Sequence, residues 1–131
     1  MKVETILFHK NILSIYKEDW VKKCVDSIKE QSFEDFIIYE LNYGDDDLNL
    51  NEKYNFKQDH NFFKIKFENH ADAMNFLLKK CLDDDIDIIL NNNMDDYSES
   101  NRFEIQINKI KEGYDIVSSN FQFIDENNNL G

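Results

Sequence analysis

The chain has 131 residues, of which 41% are hydrophobic, and a formal net charge of -12. That length suits one domain with its own core, and the apolar fraction excludes global disorder. The acidic balance argues against a nucleic-acid partner and against an anionic membrane surface, since both would repel it.

Two cysteines, Cys24 and Cys81, do not make a disulfide framework. Each falls on the apolar face of a predicted helix, where a free thiol behaves as a small buried hydrophobe. A reducing compartment is the simpler reading. No segment approaches the ~20 apolar residues of a membrane span, and the start Met1-Lys2-Val3-Glu4-Thr5 lacks a signal-peptide pattern. The expectation is a soluble, cytoplasmic chain without a membrane span, forming one domain over residues 1–131.

Thr5-Ile6-Leu7-Phe8 is a short apolar run read as a first, fully buried strand. Glu18 and Asp19 open a helix, with Trp20, Val21, Cys24, Val25 and Ile28 as its apolar stripe and its end near Gln31. Phe36-Ile37-Ile38-Tyr39, extended by Leu41, is a second strand broken at Gly44 and three aspartates. The stretch from Leu48 to His60 reads as loop with at most one helical turn, and Phe62 to Phe67 as a third strand.

Ala73, Met74, Leu77, Leu78, Cys81 and Leu82 recur at the spacing of one buried helix face. Acid is unfavourable at a helix C-terminus, so this helix should stop before Asp83-Asp84-Asp85. Ile86 to Leu90 is a fourth strand, ending abruptly in Asn91-Asn92-Asn93-Met94-Asp95-Asp96. Asn101 with Glu104 has the form of a capping box for a last helix, with Phe103, Ile107 and Ile110 inward and Gly113 just past its end. Ile116 to Ile124 reads as a final strand region, and Asp125 to Asn129 as a turn.

Short buried strands alternating with amphipathic helices imply an α/β domain with a mostly parallel sheet between helix layers. Ligands of such sheets bind beyond the carboxyl ends of the strands. Three polar clusters follow strand ends: His9 to Asn11, Asn42 to Asp47 and Asn91 to Asp96. In the last, two carboxylates could hold a hard cation such as Mg²⁺ or Mn²⁺. The plainer reading of each cluster is a surface turn or a helix cap. A fourth segment, His70-Ala71-Asp72-Ala73-Met74-Asn75, opens a helix with small residues that allow close approach, so His70 or Asp72 could reach a ligand.

Taken in order, these pieces resemble the family 2 glycosyltransferases. Asn11 after the first strand is similar to the end of that family's Pro-Thr-Tyr-Asn segment. Ser27-Ile28-Lys29-Glu30-Gln31 resembles its Ser-Ile/Val-x-x-Gln helix end, and Phe36 to Asp47 the strand leading to Asp-Asp-Gly-Ser-x-Asp. His70 to Asn75 resembles Lys-Ala-x-Ala-Leu-Asn. Ile88 to Asp96 resembles the strand ending in Asp-x-Asp-Asp, Arg102-Phe103-Glu104-x-Gln106 the helix after it, and Asp125 to Gly131 the Asp-x-x-Gly hairpin.

The resemblance implies a GT-A, Rossmann-like three-layer α/β/α sandwich, truncated before the acceptor-binding half. It implies a nucleotide-diphosphate sugar donor, in the family often a UDP-sugar, with Mn²⁺ or Mg²⁺ as cofactor. The acceptor is unknown and its site would come from a further domain or subunit. Carried over by position, His9, Asn11, Asn42, Tyr43, Asp72 and Asn93 are nucleotide-binding candidates, and Asp95 and Asp96 are metal candidates. The chain departs from the family where Phe8 and His9 replace Pro-Thr, where Asn42 and Tyr43 replace the paired Asp (sliding the match could put Glu40 there), where His70 replaces Lys, and where Asn93 replaces the first Asp of the metal motif. An amide offers an oxygen but no charge, so a weaker metal site is expected. The alternative is a non-catalytic nucleotide- or nucleotide-sugar-binding protein.

Overall fold

The computed structural model describes residues 1–125, 127 and 130. Four strands form one sheet: β1 (Val3–His9), β2 (Ile37–Asn42), β3 (His60–Lys64) and β4 (Ile88–Asn91). Their order is β3-β2-β1-β4 and every pairing is parallel. The helices are α1 (Ile12–Ile15), α2 (Glu18–Lys29), α3 (Leu50–Tyr54), α4 (His70–Asp83) and α5 (Arg102–Lys111).

Strand β1 is buried at all seven positions, as expected for a central strand covered on both faces. Successive side chains alternate between those faces. Val3 and Leu7 meet Val21, Cys24, Val25 and Ile28 of α2, with Phe103 and Ile107 of α5. Ile6 and Phe8 meet Ala73, Leu77 and Cys81 of α4 on the other side. The result is a three-layer sandwich, and burial of each large apolar side chain contributes roughly 1.5–3 kcal/mol.

Several element boundaries depart from the sequence reading. Strand β3 runs from His60 to Lys64 and not from Phe62 to Phe67, because its ladder is set by Ile38 to Asn42 on β2. Helix α4 continues through Asp83. Asp85 takes a left-handed conformation, φ 56°. Its N–H reaches Leu82 O and the N–H of Ile86 reaches Cys81 O, the two bonds of a Schellman ending. Those bonds, with Lys2 Nζ on Asp84 O at 2.9 Å, satisfy the helix end despite the acidic run. Leu82, expected inward, is 76% exposed.

The capping box at α5 does not form, since Asn101 makes no side-chain cap. Gln31, just past the end of α2, substitutes. Its Oε1 accepts from Phe103 N at 2.9 Å while its Nε2 donates to Glu99 O at 2.7 Å. Glu104 instead accepts from Ser32 Oγ at 2.8 Å. Of the strand region expected from Ile116 to Ile124, residues 116–123 carry no regular structure. Ile116, Phe121 and Phe123 are largely exposed, so no neighbour rewards pairing there. Ile124 and Leu130 form an isolated antiparallel bridge. The expected turn and hairpin lie partly outside the described residues, because Glu126, Asn128, Asn129 and Gly131 are not among them.

One buried acid marks the α4 side of the sheet. Glu4 is wholly inaccessible and accepts from Cys81 Sγ at 2.8 Å. Burial pushes its carboxyl up from 4.5 to about 7. The unfolded chain therefore releases this proton at lower pH than the folded one. The contribution is complete below pH 4.5 and is lost as pH rises to about 7. The loss should be on the order of 3 kcal/mol across that window. Glu4→Gln should flatten that limb in urea melts between pH 4.5 and 7, and an unchanged slope would refute the assignment.

Candidate functional site

All four strands run the same way, so His9, Asn42, Lys64 and Asn91 end on one edge of the sheet. A cavity of about 300 Å³ opens there. Phe8, His9 and Lys10 from the end of β1 line it with Tyr43 from the end of β2 and His70 from the start of α4. Ile12, Ile15 and Tyr16 of the α1 region form another wall, and Asn92 to Asp95 close the opposite side. One part is aromatic, with the Phe8 and His70 rings 4.6 Å apart and Tyr43 6.4 Å from Phe8. The other part is acidic.

Of the residues singled out in the sequence, His9, Tyr43, Asn93 and Asp95 line the cavity. Asn11, Asn42, Asp72 and Asp96 lie outside its lining. Asn11 is left-handed, φ 51°, and its Oδ1 accepts from Asp45 N at 3.0 Å and Asp46 N at 3.3 Å. It ties the β1 turn to the β2 turn. Asn42 is inaccessible, and its Nδ2 donates to Asp46 O and Leu48 O, each at 3.0 Å. Its Oδ1 accepts from Gly44 N at 3.0 Å. Asp72 sits in the first turn of α4, where its N–H is capped by Asn69 Oδ1 at 2.9 Å. His70, two residues earlier, is the one that reaches the cavity.

The acidic loop is anchored by Met94, which is buried, while the side chains of Asn93, Asp95 and Asp96 are exposed. Asn93 O accepts from Cys24 Sγ at 3.4 Å, and Asn93 Nδ2 donates to Asp96 Oδ2 at 3.3 Å. The field of the two carboxylates reaches inward. Tyr16 is raised by burial and then by Asp95 and Asp96. Cys24 is pushed up to about 12 by burial and then by Asp96 and Asp95. A thiol so placed is inert as a nucleophile. Among the described residues no group of three His, Cys, Asp or Glu side chains could hold a metal by itself. The donors here are oxygens, which suits a hard cation that completes its shell with ligand oxygens and water.

Beneath the cavity lies a network centred on Glu40, which the sequence offers only as a shifted match to the paired Asp and without its histidine partners. Glu40 Oε2 accepts from His9 Nε2 at 2.8 Å and Oε1 accepts from His60 Nε2 at 2.7 Å. Leu50 N donates to both oxygens, at 2.9 and 3.1 Å. Burial opposes ionisation of Glu40, but the bonds from His60, His9 and Leu50 outweigh it and hold the carboxyl below its usual range. Arg102, read in the sequence only as part of a helix-start resemblance, contacts the strand-end loop from α5. Glu40 answers to histidines 31 and 20 residues away, and no local spacing announces that pairing.

Sequence and structure comparisons agree. The family model described as Glycosyl transferase family 2 matches residues 12–131. No curated protein matches the chain in sequence. Among solved structures, S. aureus TarS 1-349 superposes with a TM-score of 0.64 at 21% identity, over 86% of this chain and 33% of that one. S. aureus TarS 1-349 in complex with UDP gives 0.63 at 21% identity, over 86% and 32%. A structure of S. aureus TarS gives 0.61 at 21% identity, over 86% and 20%. The chain thus spans a third or less of the length of each.

The two turns at the cavity are packed too tightly for a larger residue at position 44. A Cβ on Gly44 would lie 2.9 Å from both Asn11 N and Asn11 Oδ1. Gly44→Ala should cost roughly 1–3 kcal/mol in chemical denaturation. A neutral result would mean that the turn yields without strain.

Proposed function

Because the chain belongs to glycosyl transferase family 2, we propose that it binds a nucleotide-diphosphate sugar, of UDP type, together with Mn²⁺ or Mg²⁺. The observation that carries this reading is the two-ended cavity at the carboxyl edge of the sheet, aromatic at Phe8, Tyr43 and His70 and acidic at Asp95. Aromatic faces suit a nucleobase. The acidic end suits a cation that neutralises a diphosphate.

In this reading Tyr43 and His70 flank the base, with His9 beneath them held by Glu40. Asn11 and Asn42 act by shaping the two turns. Asp95 holds the cation, with Asp96 and the amide oxygen of Asn93 beside it. The cation, when bound, stabilises the leaving diphosphate as a Lewis acid. Transfer would be a direct displacement at the anomeric carbon, with an acceptor hydroxyl activated by a carboxylate outside the described residues. The acceptor site would come from a further domain or subunit.

A second reading, donor binding without transfer, is favoured by one feature. Asp95 is the only carboxylate among the cavity-lining residues. No second acid is in place there as a general base.

Calorimetric titration of UDP, GDP and UDP-sugars, with and without Mn²⁺, tests the proposal. UDP should bind in the micromolar to millimolar range and at least tenfold more tightly with metal, a difference of about 1.4 kcal/mol. Asp95→Ala should abolish the metal effect while leaving the fold intact by circular dichroism. No nucleotide binding at millimolar concentration would sink both readings. Metal-dependent hydrolysis of a UDP-sugar that Asp95→Ala removes would favour the transferase over the binding protein.

A further inference from the structure

Loop 91–98 carries the acidic end of the cavity, and of its own side chains Asn92 and Met94 are the buried ones. Asn93, Asp95, Asp96 and Tyr97 are exposed. What joins its two ends is one guanidinium. Arg102 Nη2 donates to Asn91 O at 2.6 Å, and Nη1 donates to Asn92 Oδ1 at 2.8 Å and to Ser98 Oγ at 2.9 Å. Nε donates to Gln106 Oε1 at 3.1 Å, which aims the fork from within α5. The contact continues into the sheet. The buried Asn92 donates from Nδ2 to Thr5 Oγ1, and Thr5 Oγ1 donates to Leu90 O at 3.0 Å.

We infer that Arg102 is the positioning residue of the cation-bearing loop, bracketing it at Asn91-Asn92 and at Ser98 so that Asp95 is presented at the cavity with Asp96 next to it in the chain. The inference rests on the donor-binding reading for its consequence, but not for its geometry. A planar fork with five donors can hold both ends of a loop at once; a lysine ammonium at the same place is a point charge and cannot span them. The positive charge also lies in the field of Asp96. Lysine keeps that charge, so Arg102→Lys isolates the loss of the fork.

Two readouts test this on the whole chain. Amide hydrogen exchange without ligand should be faster at residues 92–98 in Arg102→Lys, with β1 and β2 unchanged. UDP affinity in the presence of Mn²⁺ should fall about tenfold, the lower end for losing a group that orients metal ligands, while metal-free UDP affinity stays within twofold. Unchanged exchange in the loop, or equal loss of affinity with and without Mn²⁺, would overturn the inference. If Arg102→Lys does not fold, Ser98→Ala removes one end of the bracket, and it should shift both readouts the same way by a smaller factor. No shift there would equally overturn it. If wild-type UDP binding proves independent of Mn²⁺, the metal part of the donor reading fails instead, and the exchange result judges Arg102 separately.

Discussion

A carboxylate with no access to water must be met by donors from the protein itself, and Glu40 is met by three. His9 arrives from β1, His60 from β3 and the Leu50 amide from α3. An unpaired buried charge would cost several kcal/mol, so those elements cannot separate without exposing or protonating it. The constraint sits at the carboxyl end of the sheet, directly under the cavity. It fixes the floor on which the aromatic side chains stand, and through His60 it binds the edge strand β3.

The rest of the site follows from sheet polarity. In an all-parallel sheet every strand delivers its C-terminal turn to one edge, so three polar turns far apart in sequence share a rim. Asn11 and Gly44 interlock two of those turns. The third, after β4, stands across the cavity and bears the acids. The architecture is that of the GT-A fold, and the division between an aromatic and an acidic end arises from which strand supplies which turn.

Much of this was legible in the chain. The stripes of α2 and α4 and the apolar runs of β1, β2 and β4 announce their elements, because burial on a regular lattice leaves a period in the sequence. The clustering of strand-end polar residues was legible for the same reason. Their individual duties were not. Asn42 resembles a ligand contact in sequence, yet its amide is consumed by its own turn. His70 and Asp72 are equally polar neighbours on one helix start, and only the helix phase decides that His70 faces the cavity. Glu40 and His60 carry no local pattern, since each acts on a residue of a neighbouring strand, and Arg102 is legible as part of a helix start but not as the clasp of the loop before it. The stretch from Ile116 to Ile124 misled in the other direction: apolar residues alone do not make a strand without a partner strand.

Gln31 carries a last implication. Helix α5 begins on an amide that is satisfied from 72 residues upstream. It lacks a side-chain cap of its own, so its first turn depends on the chain just past α2 holding station. Arg102, which grips the acidic rim, sits in that same turn. Lifting Gln31 away would free the first amides of α5 and loosen the anchor of the rim, while the ladders joining β1, β2 and β3 stay paired. The order of the acidic loop is thus borrowed, through one amide, from a residue far upstream.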